Sequence, residues 1–217
     1  MFIGHYGVGL ASKKAGKNIS LGTLFMAAQW LDLLWPIFLV LNIEHVTIHP
    51  GDTKMTPLNF DYYPFSHSLL FVIIWSVLFG FVYYFLRKNL KNSIILALLV
   101  LSHWVLDLFV HRPDLALYPG GPFEGLGLWN YPVIEIILEF LIYIAGIILY
   151  INVTKPKDKI GKYSFRGLII LLALFHVMNL TGPPPPNEKM IGYASLSLWL
   201  IVLWAYWTDR HRELKTK

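Results

Sequence analysis

The stretch Leu99–His111, LVLSHWVLDLFVH, sets His103, Asp107 and His111 inside an otherwise apolar run. On a helix, residues four apart drift only about 40° around the axis per step, so all three project from one face. Ionisable groups within a membrane span are costly and by default line a site, a cavity or an ion path. Histidine and aspartate are also good metal ligands. The stripe predicts a helix that carries a metal or proton site, provided the rest of the chain places that helix in a membrane.

Composition does so. The 217 residues are 56% hydrophobic and only 14% charged, with a mean hydropathy of +0.54. A soluble domain of this length needs a far more polar surface. The expected class is an all-α, polytopic helical membrane bundle, a single integral membrane domain over residues 1–217. Six apolar segments are read at about 20–43, 67–86, 93–111, 131–152, 165–180 and 190–207. Most have the ~20 residues needed to cross about 30 Å of hydrocarbon; the fifth is short. The chain has no cysteine, which excludes disulfides, thiolate ligands and cysteine nucleophiles. With neither a basic leader nor a small-residue cleavage site after an apolar core, no removed signal peptide is expected.

The charges fall in alternate connections. Lys13, Lys14 and Lys17 precede the first span, and Arg87, Lys88 and Lys91 follow the second. Lys155, Lys157, Lys159, Lys162 and Arg166 surround the fourth loop, and Arg210, Arg212, Lys215 and Lys217 end the chain. Of the 18 basic residues, only Lys54, Arg112 and Lys189 lie on the other side. The positive-inside rule then predicts both termini in the cytoplasm and six crossings. The formal charge of +5 is therefore a topology signal, and no nucleic-acid partner is expected.

Two outer connections are long. Residues 44–66 hold Pro, Gly, Asp and Asn, which argues against a regular element, and loops of this length are often functional. Residues 112–130 are similarly rich in glycine and proline. Pro183–Pro186 reads as a stiff extended spacer. Tyr62, Tyr63, Trp129, Tyr131 and Trp207 fit an interfacial aromatic belt without any binding role. Residues 1–12, MFIGHYGVGLAS, are uncharged but too short to span. They read either as a short re-entrant helix dipping into the bundle or as a helix lying flat at the interface.

Helical rise gives depths, counted from the nearest cytoplasmic lysine or arginine. His103 comes out about 18 Å deep, Asp32 about 22 Å, and Asp107 and Glu139 about 24 Å. Glu135 and His67 lie near 30 Å, and His5 about 12 Å if its segment dips. Five segments thus offer His, Asp or Glu within one slab. Pro36, four residues after Asp32, cannot donate to its carbonyl and predicts a kink or loosening there. Duller roles stand beside these. His67 could cap the second span, His111 and Arg112 could be ordinary interfacial residues, and Asp32 a structural acceptor. His176, alone in its span, is expected to be a satisfied core histidine, and His45, His49 and His211 to be solvated.

These residues resemble a family. GHYGVGLASKK at the start, an aspartate in the next span, PFSHS, and SHWVLDLFVHRP are similar to the bacterial YdjM-like membrane-bound metal-dependent hydrolases, over residues 1–118. Carried over motif by motif, the resemblance implies His5, Asp32, His67, His103 and Asp107 as metal ligands, and a bacterial inner membrane. The family's Asp-x-Asp-His is reduced here to Leu31-Asp32-Leu33-Leu34-Trp35, and Asp61-Tyr62-Tyr63-Pro64 stands in place of its His-Arg-Gly. Fewer ligands imply one metal where relatives hold two, or a lost activity.

The resulting expectation is a hydrolase with a divalent metal, zinc or manganese, that lowers the pKa of a bound water. Glu135 or Glu139 would serve as general base, the other ordering a ligand, and Arg112 would hold a substrate phosphate. A lipid or lipid-linked phosphoester suits a site reached sideways from the bilayer. The rivals are a small transporter that uses the buried groups as a proton or ion path, and a scaffold with a structural metal. A single compact shell favours metal; groups strung along a path favour transport. The sequence leaves oligomeric state open.

Overall fold

The computed structural model describes residues 1–215; Lys217, counted above among the cytoplasmic basic residues, lies outside the described residues. The architecture is an all-α helical bundle with short hairpins at its ends. Five helical stretches are long and apolar enough to cross a membrane: Leu69–Arg87, Leu90–Val110, Pro132–Val153, Lys159–Thr181 and Glu188–Arg210. A sixth is formed if Leu21–Ala28 and Trp30–Val40, bent by 61°, count as one broken span. The chain is thus an integral membrane protein. The outer faces agree: Leu70, Ile73, Val77, Phe81 and Phe85 on one helix, and Ile134, Ile137, Leu141, Ile144 and Ile148 on another, are exposed. Such continuous apolar surface is stable against lipid and not against water.

The N-terminal helix α1 (Ile3–Ser12) lies inside the bundle, with Ile3, Gly4, His5, Tyr6, Gly7, Gly9 and Leu10 buried. This resolves the sequence's two options in favour of the dipping helix. It packs chiefly on α7 (Pro132–Val153), and also on α2 (Leu21–Ala28) and α6 (Leu90–Val110). Glycine makes the approach possible. A Cβ at Gly146 would come within 2.1 Å of the Gly7 carbonyl oxygen, and one at Gly7 within 2.7 Å of the Ile142 oxygen. Small residues let helix backbones touch in this way inside membranes.

Helix α2 starts at Ser20, whose side chain accepts from the Thr23 amide. It breaks at Gln29, and α3 (Trp30–Val40) follows with Asp32 in its first turn, where a helix dipole favours an anion. The 61° bend therefore falls before Asp32, while Pro36 sits inside α3.

The outer segment 44–66, expected to be irregular, contains a hairpin. β1 (His45–Ile48) pairs antiparallel with β2 (Leu58–Tyr62), with Thr47 opposite Asn59 and Ile48 opposite Leu58. Its β-branched and aromatic residues lie in the strands, and the Pro, Gly and Asp content is concentrated in the tip between them. A short α4 (Pro64–His67) then leads into α5 (Leu69–Arg87), which turns tightly into α6 through Lys88 in the left-handed region. Beyond α6, a two-residue pair β3 (Leu115–Ala116) and β4 (Phe123–Glu124) precedes α7. The fifth span, α8 (Lys159–Thr181), is longer than the apolar run suggested; it carries Lys162 and Arg166 within its first turns and is capped by Asp158. After Pro183–Pro186 come α9 (Glu188–Ser195) and α10 (Leu198–Arg210).

Basic residues from separate connections gather in one place: Lys13, Lys17, Lys157 and Arg212 surround a common cleft. At one end, β5 (Thr154–Pro156) pairs with β6 (Arg212–Leu214). There Lys13 donates to Ile19 O (2.6 Å) and Asp209 Oδ1 (3.1 Å). At the other end Arg112 joins Asp52 and Asp114, tying the two outer connections together.

Candidate metal centre

Four elements bring His5 (α1), Asp32 (α3), His67 (α4) and the α6 pair His103 and Asp107 to one place. Two triads with ligand atoms within 4.8 Å of one another overlap there: His5, His103 and Asp107, and Asp32, His67 and His103. All are buried except Asp32, which is partly open to a cavity. His5 Nε2 lies 3.0 Å from Asp107 Oδ1. His103 Nε2 lies 3.1 Å from Asp107 Oδ2 and 3.7 Å from Asp32 Oδ1. His67 Nε2 lies 3.6 Å from Asp32 Oδ1 and 4.0 Å from Asp107 Oδ2. The rings of His5 and His103 stack with centroids 3.6 Å apart.

These separations fit a cation. Nitrogen and oxygen ligands about 2.0–2.1 Å from a tetrahedral ion stand about 3.3–3.4 Å from one another. His103 gives the sharpest test. Its Nδ1 lies 2.8 Å from the carbonyl of Ala28, the last residue of α2, and can only donate to it. In the neutral ring its Nε2 therefore carries the lone pair, and this fully buried atom makes no hydrogen bond. A nitrogen facing two carboxylates there is suited to a shared cation, whether a proton or a metal ion. The buried His/Asp group could hold a metal ion.

The carboxylates are held as well. Asp107 Oδ1 also accepts from the Met1 amino group at 2.6 Å. Glu139 accepts the amides of Phe2 (3.0 Å) and Gly4 (2.9 Å), so its role is to fasten the start of α1 to α7. Glu135, one turn away on α7 and fully buried, has no partner for either oxygen. A second buried group lining the cavity is unexpected. His176 on α8, read above as a satisfied core histidine, is buried but leaves Nε2 without a partner, and it lines the cavity. Phe2 stacks on its ring and Phe140 meets it edge-on.

The cavity has a volume of about 760 Å³ and is about two-thirds apolar by lining. It is lined by Asp32, His67 and Asp107 from α3, α4 and α6, and by Glu135, Glu139 and His176 from α7 and α8. Lys54, from the tip of the β1–β2 hairpin, also lines it and has no acidic partner among the described residues.

His111 of the stripe and the neighbouring candidate Arg112 stand apart from the cluster. His111 caps α6 in an extended conformation, so it leaves the helical face and pairs with Asp114 (2.8 Å). Arg112 is occupied by Asp52 (3.1 Å), Asp114 (3.3 Å) and Asn59, and it does not line the cavity. Two belt aromatics also differ from expectation. Tyr63 is buried and donates to Asp114 (3.0 Å), and Trp129 lies 4.1 Å from the His111 ring at the cavity wall. Burial and the Asp114 charge hold the Tyr63 hydroxyl well above its ordinary range. His45 and His49 are exposed, and His211 pairs with Asp158.

Sequence reading missed Glu44. This residue is 1% exposed, and its carboxyl accepts from the Phe65 amide (2.8 Å), the Ser66 amide (2.7 Å) and the Ser66 hydroxyl (2.6 Å). Burial pushes its carboxyl above the ordinary range, against the pull of the Ser66 donors. No spacing rule links a loop glutamate to a Ser-His pair 22 residues on; only the hairpin between them does.

No family model, curated protein or solved structure matches this chain.

Proposed function

We propose that the chain is a membrane-embedded metal-dependent hydrolase, of the kind its N-terminal motifs resemble, acting on a phosphoester or lipid-linked substrate. One observation carries the reading: three imidazole Nε2 atoms and two carboxylates converge beside a large, mostly apolar cavity. A divalent ion such as zinc or manganese in that cluster would acidify a bound water and polarise the scissile group. A single ion is favoured, because both triads share His103, whose other nitrogen is committed to Ala28.

The remaining roles follow from what each side chain is already doing. Glu139 is spent on the backbone of α1, so Glu135 is the carboxyl left to exchange a proton with the attacking water or the leaving group. Arg112 is held by two carboxylates, so Lys54 is the better placed cation for a substrate phosphate. The apolar lining from Phe175, Met178, Ile191 and Leu198 suits a hydrocarbon chain attached to that phosphate. The compactness of the cluster supports hydrolysis over a transport path, for which groups would be spread along a channel. The orientation with both termini in the cytoplasm, and a bacterial inner membrane, belong to this reading.

The test is phosphatase and phosphodiesterase assay of the detergent-purified protein on short-chain and lipid phosphoesters. Hydrolysis that stops with chelator and returns with zinc or manganese is the expected result. No hydrolysis of any of them, with proton flux in reconstituted vesicles instead, would replace this reading by the transporter.

A further inference from the structure

Three histidines aim Nε2 at the cluster, but they are held differently. His103 is fixed by a carbonyl, and His5 Nδ1 is buried with no partner. His67 Nδ1 lies 2.7 Å from Ser66 Oγ, and Ser66 Oγ lies 2.6 Å from Glu44 Oε2. We propose that Glu44 and Ser66 are positioning residues that impose one tautomer on His67, with the proton on Nδ1 and the lone pair on Nε2.

The argument is a count of donors and acceptors. Glu44 is surrounded only by donors: two amides on Oε1 and the Ser66 hydroxyl on Oε2. A serine hydroxyl has one hydrogen; of its acceptors, Glu44 Oε2 at 2.6 Å and the Tyr63 carbonyl at 3.4 Å, the near carboxylate takes it. Ser66 Oγ can then only accept from His67, so Nδ1 must carry the hydrogen. In the neutral ring the lone pair is then on His67 Nε2, which faces Asp32 and Asp107, as a ligand's must. The same amide bonds fix α4: Glu44 accepts at Phe65 and Ser66, in the turn that presents His67. The hairpin and the site are thereby joined through one buried carboxyl. What the ring is aimed at rests on the metal reading above; the tautomer itself does not.

Glu44→Gln gives a direct test, because it preserves shape and reverses polarity. The amide oxygen still accepts the two backbone amides, but the amide nitrogen donates to Ser66 Oγ. The serine hydrogen then turns to His67 Nδ1, and the ring proton moves to Nε2. In histidine-¹⁵N-labelled full-length protein without metal, the His67 signal, identified by its loss in His67→Asn, should report the Nδ1–H tautomer. Glu44→Gln should convert it to the Nε2–H tautomer. Zinc affinity should fall 10–100-fold in Glu44→Gln and in Ser66→Ala, and stay within about threefold of wild type in Ser66→Thr. An Nε2–H tautomer in the wild-type protein would overturn the proposal even if the Glu44 and Ser66 variants do not fold. So would unchanged tautomer and affinity in Glu44→Gln. If the tautomer responds but wild-type protein binds no metal, the relay stands and the metal reading falls.

Discussion

The two walls of the cavity are built on opposite terms. Among the groups that α3, α4 and α6 aim at the cluster, three are fixed by a partner on another atom: Ala28 for His103, Ser66 for His67, the Met1 amino group for Asp107. On the wall made by α7 and α8, Glu135 and the Nε2 of His176 are buried without partners. Buried polar groups are nearly always satisfied, so an orphan calls for an explanation in function or in a bound molecule. In the proposed function the first wall is the fixed, metal-holding one, and the second has the part that meets substrate.

The comparison can be broken in order of expected effect. Glu135→Gln should leave metal content unchanged and lower turnover 10²–10⁴-fold, read by hydrolysis at saturating substrate. Metal loss in that variant would move Glu135 to the fixed wall. Gly146→Ala should come next, since the added methyl meets the Gly7 carbonyl and drives α1 from α7. Overpacking of this sort costs about 1–3 kcal/mol, visible as a lower unfolding midpoint, and weaker metal binding should accompany it because His5 rides on α1. His5→Ala alone should weaken metal binding less than His103→Ala, because nothing fixes the His5 ring through Nδ1. Equal losses would mean that tautomer anchoring does not rank the ligands. The smallest effect belongs to Arg112→Gln. Its partly exposed pairs with Asp52 and Asp114 are worth about 0–1 kcal/mol. A large rise in KM with unchanged stability would instead make Arg112 a substrate contact.

The sequence was most legible where solvent dictates the pattern. Apolar runs mark the spans because every backbone group in lipid must be satisfied internally. The start of α8 was missed because Lys162 and Arg166 interrupt hydropathy without interrupting the helix. The four-residue spacing of His103 and Asp107 survives in the structure because both lie within α6. His111 does not keep the face because the helix ends at Val110. The bend was expected from Pro36, but it falls at Gln29, which has no strong sequence signature. Two Ser-His pairs look alike in the chain and behave differently: Ser66 bridges Glu44 to His67, while Ser102 bonds back to the Leu99 carbonyl of its own helix. That difference is tertiary, as are the roles of Glu44 and His176, and no local pattern encodes it.

The central claim is that the His/Asp wall holds one metal ion. The most direct measurement is metal content of the detergent-purified full-length protein, wild type beside His103→Ala and Asp107→Ala. The account predicts about one equivalent of zinc or manganese per chain, lost in both variants while each stays folded. Background metal in the wild-type protein after reconstitution with excess ion, or full retention in both variants, would contradict it.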